Sequence, residues 1–100
     1  MSAPVFRRLV IRGRVQGVGY RAFVEDEAAM RGVEGFVRNR RDGTVEVVIG
    51  GSPEAVAAMI DTCRRGPFSA LVDDVEVIET AADALALRRP GERFSVLPTM

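Results

Sequence analysis

The chain has 100 residues, which is enough for one hydrophobic core and too short for two, so we expect residues 1–100 to form a single domain. Its 14 acidic and 14 basic residues cancel, and this balance gives no reason to expect nucleic acid or an anionic membrane as a partner. All 14 bases are arginine, so the chain has no lysine, and it has no histidine either. It therefore lacks the residues for a Schiff base, a Walker lysine, a Ser-His-Asp triad or a histidine metal site.

Hydrophobic periodicity predicts the first two elements. Residues 5–14 alternate as a strand does, with Leu9 and Ile11 on one face. A glycine-rich loop follows, and residues 21–31 then carry apolar side chains four apart before Gly32, which favours a helix that ends there. The chain therefore opens with a strand, a loop and a helix.

A hairpin and a second helix are predicted next. Residues 35–39 and 44–49 are rich in β-forming residues and are joined through an Asp-Gly dipeptide, which suits a tight turn. Ser52-Pro53 is typical of a helix start, and Gly66 of a helix end. Between them, apolar residues recur at the spacing of one buried helix face, namely Val56, Met59, Ile60 and Cys63.

Two further strands complete the predicted order. Residues 72–79 alternate, and residues 93–97 suggest a short last strand, whereas residues 80–91 are compatible with a loop or with a turn of helix. The order is strand, helix, strand, strand, helix, strand, with one extra strand at the end. It predicts an α+β fold, a ferredoxin-like two-layer sandwich (βαββαβ) with two helices on one face of an antiparallel sheet.

The loop between the first strand and the first helix is the first candidate site. Three glycines in "GRVQGVGYR" allow close approach of the backbone, and a strand that opens into a helix gathers unpaired N–H groups around one point. Such a group of N–H donors binds anions, and phosphate most of all. Arg21 can add a planar pair of donors for two phosphate oxygens. The loop alone fits equally well with a tight turn followed by a solvated arginine.

Asn39 is the second candidate. Two strands joined by a crossover helix run in the same direction, so the first strand and the first hairpin strand end at the same edge of the sheet. Asn39 is therefore expected near the loop, where an amide can hold a water molecule or an oxyanion. A turn-forming asparagine before the hairpin is the alternative interpretation.

Two long segments resemble the signature segments of the acylphosphatases. They are "IRGRVQGVGYR" (residues 11–21) and "GFVRNRRDGTVEVVIGG" (residues 35–51), and "RGPFSALVDDVEV" (residues 65–77) is similar to the segment after the second helix in that family. The resemblance implies hydrolysis of acyl phosphates to a carboxylate and inorganic phosphate. It implies that Arg21 binds phosphate together with the loop amides and that Asn39 orients the attacking water. The amides of that loop are those of Gln16, Gly17, Val18, Gly19 and Tyr20. Because the sequence has no cluster of metal-ligating residues, we expect neither a metal nor a cofactor. Tyr20 stands where the family typically has phenylalanine.

Other residues offer weaker candidates. Cys63 lies on the apolar helix stripe and lacks the arginine six residues later that a cysteine phosphatase loop needs. Four acidic residues of the strand at 72–79 suggest a metal site or, more simply, a solvated face. Arg38, Arg40 and Arg41 flank Asn39 and are candidates for raising the positive potential at the mouth of the site.

The expected partners and location follow from composition. An RNA-binding sheet needs several stacking aromatics on its central strands, and the predicted hairpin has only Phe36. A non-catalytic anion-binding or regulatory ferredoxin-like domain stays open as the alternative function. With one cysteine, no apolar run of membrane-spanning length and no signal-like N-terminus, the protein is expected to be cytoplasmic, and we expect a monomer.

Overall fold

A computed structural model describes residues 3–100 of the chain. Five strands and three helices follow in the order β1 (Val5–Arg14), α1 (Tyr20–Arg31), β2 (Glu34–Asn39), β3 (Val45–Gly51), α2 (Pro53–Arg65), β4 (Leu71–Glu79), a 3₁₀ helix (Ala82–Leu87) and β5 (Phe94–Val96). Among residues 3–100, no helix is both long and apolar enough to cross a membrane.

The strands form one sheet in the order β4-β1-β3-β2-β5. β1 pairs antiparallel with β3 and β4, and β2 pairs antiparallel with β3, as a ferredoxin-like sandwich requires. β5 pairs parallel with β2, so the complete sheet is mixed, and the expected antiparallel pairing is confined to the other four strands. The direction of β5 has a simple cause. The last residue of β4 and the first residue of β2 lie at the same end of the sheet. A strand that follows β4 and pairs with β2 from that end must therefore run parallel to β2.

The main core lies between the sheet and the two helices. Leu9 and Ile11 of β1 are fully buried, as their shared face predicts, and α1 buries Val24 and Ala28 against them. The stripe of α2 is buried at Val56, Met59 and Cys63 and partly buried at Ile60. Full burial of an aliphatic side chain stabilises the fold by roughly 1.5–3 kcal/mol, so these positions fix the helices on this face of the sheet.

Local signals set the helix ends. Ser52 caps α2 by accepting a hydrogen bond from the N–H of Ala55 at 3.1 Å, and Pro53 occupies the first helical position, where its missing N–H has no consequence. α1 begins at Tyr20, one residue earlier than predicted, after Gly19 in the left-handed conformation.

The segment that the sequence leaves undetermined crosses the other face of the sheet. Its 3₁₀ helix places Leu85 against Phe36 and Val48, which forms a second, smaller apolar cluster. The rest of this face carries a group of charged side chains centred on Glu46. The two faces of the sheet therefore differ: one is covered by long helices, and the other is part apolar and part ionic.

Candidate active site

The loop from Val15 to Gly19 joins β1 to α1 at one edge of the sheet. Gly17 and Gly19 have φ angles of 74° and 81°, in the left-handed region that side chains rarely adopt. A Cβ at either position would meet no atom within 4 Å, so it is the backbone conformation and not crowding that requires glycine.

The N–H groups of this loop have no partner in the described chain. Within residues 3–100, none of the five consecutive N–H groups from Gln16 to Tyr20 donates a hydrogen bond to another residue. The start of α1 also lacks a capping side chain, and its first turn contains no acidic residue. Unpaired N–H groups at a helix N-terminus attract anions, so this loop has the structure expected of a phosphate-binding nest.

Arg21 lies in the first turn of α1, beside the nest, and is partly buried. Among the described residues its guanidinium forms no ion pair and no hydrogen bond with another side chain or carbonyl. It borders a cleft of about 370 Å³ that is lined by Val15, Gly17, Gly19, Tyr20, Arg21, Ala22, Glu25 and Val96. The nest and the unpaired arginine therefore open into one cleft, which is of the size that small ligands occupy.

Asn39 is the last residue of β2 and lies on the same face as Val37, the side of the sheet that α1 covers. It is 8% exposed, and its Oδ1 is buried without a hydrogen-bond partner in the described chain. A buried acceptor without a partner is rare and is characteristic of functional sites. The structure therefore brings the Asn39 amide to the end of the sheet at which β1 leads into the loop.

The hairpin turn after Asn39 is stabilised by other groups. Asp42 Oδ1 accepts hydrogen bonds from Thr44 N at 2.9 Å and from Thr44 Oγ1 at 2.7 Å, and these bonds lower the pKa of the Asp42 carboxyl. The backbone closes the turn from Arg40 N to Thr44 O at 2.8 Å. The Asn39 side chain takes no part in these bonds, which weakens its interpretation as a turn-forming residue.

Gln16 contributes a contact that sequence reasoning missed. Its side-chain Nε2 donates to Arg40 O at 2.7 Å and to Thr44 O at 2.8 Å, so one amide joins the loop to both sides of the hairpin turn. Arg40 directly follows Asn39, and the bridge therefore fixes the nest relative to the strand end that presents Asn39. The sequence offered no signal for it, because the two carbonyls belong to the backbone.

Two further bonds support the loop from the side of α2. Ser69 Oγ donates to Val18 O at 2.6 Å, and the buried Tyr20 hydroxyl donates to Cys63 O at 2.7 Å. Burial raises the pKa of Tyr20 far above its ordinary value, so this hydroxyl remains a donor. The Tyr20 hydroxyl thus adds a link between the start of α1 and the last turn of α2.

The arginines beside Asn39 do not behave as the sequence suggested. Arg38 Nε and Arg40 Nη1 contact Glu46 Oε1 at 2.5 and 3.2 Å, on the face of the sheet opposite the helices, and Arg8 Nε contacts Oε2 at 2.5 Å. The expectation that they add positive potential at the site mouth is wrong for Arg38 and Arg40, because side chains alternate along a strand and Arg38 faces away from Asn39.

Cys63 and the acidic residues of β4, the remaining candidates, lie in surroundings that do not favour a catalytic or metal-binding role. Burial raises the pKa of the Cys63 thiol to about 12, so it is not a reactive thiolate at neutral pH. Within residues 3–100, no three histidine, cysteine, aspartate or glutamate side chains converge as a metal site would require. The four acids of β4 are thus a largely exposed edge.

Comparison with known proteins agrees with this geometry. The acylphosphatase family model matches residues 7–92. The chain is 57% identical over 98 residues to an acylphosphatase from Rhodopseudomonas palustris (strain BisB18), with 98% of this chain and 99% of that one covered. It is 58% identical over 100 residues to one from Bradyrhizobium diazoefficiens, with 100% of both chains covered. The crystal structure of acylphosphatase from Bacillus subtilis superposes with a TM-score of 0.79 at 35% identity, covering 93% of this chain and 98% of that one. The chain therefore belongs to the acylphosphatase family.

Proposed function

We propose that the loop amides of residues 16–20 and the Arg21 guanidinium bind the phosphoryl group of an acyl phosphate, and that Asn39 orients the water that attacks it. Hydrolysis of an acyl phosphate to a carboxylate and inorganic phosphate is the activity of the family to which the chain belongs. The observation that carries the proposal is that Gly17, Gly19 and Tyr20 of this loop, whose N–H groups have no partner in residues 3–100, line the same cleft as the Arg21 guanidinium, which is also unpaired there.

The reaction needs few catalytic groups. The leaving group is a carboxylate whose conjugate acid has a pKa of about 4, so it departs without being protonated. Phosphoryl transfer passes through a loose transition state, with charge on the equatorial oxygens, and is accelerated mainly by positioning and electrostatic stabilisation. Preorganised N–H groups and a planar guanidinium supply both, which fits a chain without lysine or histidine.

Asn39 supplies the remaining function in this proposal. An amide cannot act as a base, but its Oδ1 can accept a hydrogen bond from a water and direct the oxygen lone pair at phosphorus. The buried, unpaired state of Oδ1 supports this role. The proton of the water then passes to a phosphate oxygen or to bulk water. The products are the carboxylate and inorganic phosphate.

We further propose that residues 1–100 act as one monomeric domain in the cytoplasm, without a metal, a cofactor, nucleic acid or a membrane partner. The match of the family model across most of the chain and the zero net charge support this view. Sedimentation of the purified protein that gave a dimer at assay concentration would contradict the monomer.

Phosphate release from acetyl phosphate, measured with and without a chelator, tests the function. We expect equal rates in both conditions and competitive inhibition by inorganic phosphate, because the nest recognises the tetrahedral anion. A rate abolished by chelator and restored by a divalent ion would contradict the metal-free mechanism. Inhibition by phosphate that excess substrate cannot overcome would contradict the assignment of the loop as the phosphate site.

A further inference from the structure

The cleft extends beyond the phosphate nest. Its nest end is formed by Gly17, Gly19 and Arg21, and it continues along the first turns of α1 to Ala22 and Glu25. When the nest holds the phosphoryl group, the remaining volume is the space into which the acyl part of a bound substrate can extend. The side chains that line this outer part therefore contact or face the acyl group.

The outer part of the cleft has one charged side chain. Its other walls are the small or apolar residues Val15, Ala22 and Val96, and Glu25 and Arg21 are the only charged residues that line the cleft. Residues four apart on a helix share one face, so Glu25 lies one turn beyond Arg21 on the side that faces the cleft. In the described chain, Glu25 is exposed and forms no ion pair or hydrogen bond through its side chain.

Resting on the proposed function, we propose that Glu25 is a specificity-determining residue that favours acyl phosphates with a neutral or cationic acyl group over those whose acyl group carries a second anion. Glu25 lines the cleft and, among residues 3–100, its carboxylate has no cation paired with it. A second carboxylate or phosphate on the substrate would lie near it, in a partly enclosed cleft where repulsion is less screened than in bulk water.

The position of Glu25 separates this effect from phosphate binding. The phosphoryl group is held at the N-terminal end of α1, where the unpaired N–H groups and Arg21 oppose any repulsion from a carboxylate one turn away. A positively charged acyl group would gain attraction in the same place. Discrimination by charge on the acyl side is therefore expected, with little change for a neutral acyl group.

A matched set of substrates tests the proposal with Glu25→Gln. The set is benzoyl phosphate, 4-carboxybenzoyl phosphate and 4-(trimethylammonio)benzoyl phosphate, and the measured quantity is kcat/KM for each charged substrate divided by that for benzoyl phosphate. Intrinsic reactivity cancels when these ratios are compared between variant and wild type. At low salt we expect the carboxylate ratio to rise about fivefold in Glu25→Gln and the ammonium ratio to fall, both effects shrinking as the Debye length falls from about 30 Å at 0.01 M salt to about 10 Å at 0.1 M.

Asp26→Asn is the matched control. Asp26 is the next residue of α1, is exposed and does not line the cleft, so its removal changes the net charge equally and should leave both ratios unchanged. Equal gains for all three substrates in Glu25→Gln, unchanged ratios, or the same change in Asp26→Asn would overturn the proposal. The thermal midpoint of each variant checks that the fold is retained.

A binding measurement keeps the inference distinct from the proposed function. Benzylphosphonate and 4-carboxybenzylphosphonate are not hydrolysed, and their affinities can be compared by calorimetric titration. We expect Glu25→Gln to raise the affinity of the carboxylated compound about fivefold relative to the parent compound. If no acyl phosphate is hydrolysed, the proposed function fails while these affinities still decide the role of Glu25. If hydrolysis proceeds and neither the kinetic ratios nor the affinities respond, only the role of Glu25 fails.

Discussion

The arginines on the face of the sheet away from the helices differ in their partners from Arg21 of α1. On the face away from the helices, Arg8, Arg38 and Arg40 all contact the buried carboxylate of Glu46, and Arg38 also stacks over Phe36 with 5.5 Å between its guanidinium carbon and the ring centre. At the edge beside α1, Arg21 has no partner in the described chain. The first group stabilises the fold, and the second is available to a ligand.

The two regions also differ in how their backbone is used. Around Glu46 the neighbouring strands are fully paired, whereas the loop before α1 leaves its N–H groups unpaired and its helix uncapped. Because glycine is the N-cap residue of α1, the missing side-chain cap costs only a few tenths of a kcal/mol, roughly, relative to serine or aspartate. Within residues 3–100, backbone N–H groups thus stay unpaired at the loop before α1, whereas the charges around Glu46 are paired.

Removal of the unpaired arginine should have the largest effect on activity. Arg21→Ala is expected to lower kcat/KM by on the order of 10³-fold and to weaken inhibition by phosphate, because it removes two donors to the phosphoryl oxygens. Arg21→Lys should recover little, since an ammonium cannot form two parallel bonds. Steady-state kinetics and the thermal midpoint are the measurements. Arg64→Ala is the matched control, because Arg64 is an exposed arginine without an ion pair in the described chain. Near-normal activity of Arg21→Lys would show that a positive charge alone is sufficient at this position.

Asn39 should show the next largest effect, and mainly in kcat. Asn39→Ala is expected to lower kcat by on the order of 10²-fold with inhibition by phosphate little changed, as the loss of one preorganised group does. Asn39→Asp should be no better, because a carboxylate repels the phosphoryl group. Since Oδ1 has no partner in residues 3–100, the alanine variant should keep its thermal midpoint. Normal turnover with a lowered midpoint would instead favour the turn-forming interpretation.

Removal of the Glu46 carboxylate, which three arginines contact, should reduce the stability of the fold and leave activity unchanged. Glu46→Gln is expected to lower the free energy of unfolding by about 1–3 kcal/mol, because three arginines lose their shared partner. Chemical denaturation at neutral pH measures this change, and kcat/KM per folded molecule is the control. A Glu46→Gln variant that kept its stability but lost activity would reverse the roles assigned to the two faces.

The pH dependence of stability gives a second test of Glu46. Burial alone would raise the pKa of Glu46, but the hydrogen bonds from Arg8 and Arg38 and their charges outweigh it and hold the pKa below its ordinary value. The stability that Glu46 contributes is therefore fully present above about pH 4.3, the pKa of a glutamate in an unfolded chain, and is lost as the pH falls through the lower folded-state value. The stability difference between wild type and Glu46→Gln should narrow in that acidic range. A difference that stayed constant there would contradict the lowered pKa.

Removal of the Gln16 side chain, which joins the loop before α1 to the hairpin turn after Asn39, should have an intermediate effect on the rate. Gln16→Ala is expected to lower kcat/KM about tenfold, because a loop displaced by a fraction of an ångström no longer aligns the phosphoryl group with the water at Asn39. The double variant Gln16→Ala with Asn39→Ala provides the discriminating measurement. Its loss should be smaller than the product of the two single losses, and strictly multiplicative effects would show that Gln16 acts independently of Asn39.

The smallest effect is expected at the buried tyrosine. Tyr20→Phe removes the hydroxyl that donates to Cys63 O, and the free energy of unfolding should fall by about 1 kcal/mol. Because the hydroxyl is buried and donates to a carbonyl of α2, activity should stay within about twofold, a small change in the free energy of activation. Thermal unfolding and phosphate release on the same preparation decide between this result and a direct role for the hydroxyl in catalysis.

The site was predictable from the sequence where it depends on local backbone and strand direction. The glycines indicated the nest, and the crossover rule placed Asn39 at the edge where β1 ends. The Gln16 bridge was not predictable, because it joins a side chain to carbonyls 24 and 28 residues away whose positions depend on the fold. The orientation of Arg38 was within reach, since strict alternation along β2 puts it on the face opposite Asn39.

The fold shows the same division. Sequence patterns placed α1, α2 and all five strands, whereas the 3₁₀ helix at Ala82–Leu87 depends on the tertiary contacts of Leu85 with Phe36 and Val48. The direction of β5 likewise depends on where its connection crosses the sheet, which no local pattern encodes.

The two outer strands of the sheet have a consequence for self-association. β4 forms one edge and carries largely exposed acids along its length, Asp73, Asp74, Glu76 and Glu79, while β5 forms the other edge and is only three residues long. An edge that is charged or very short is a poor template for strand addition by a second molecule. A protein with zero formal net charge gains little overall repulsion between its copies. Resistance to aggregation through the sheet therefore depends on these edges, and replacing the acids of β4 with threonine is the change that would most directly expose the chain to it.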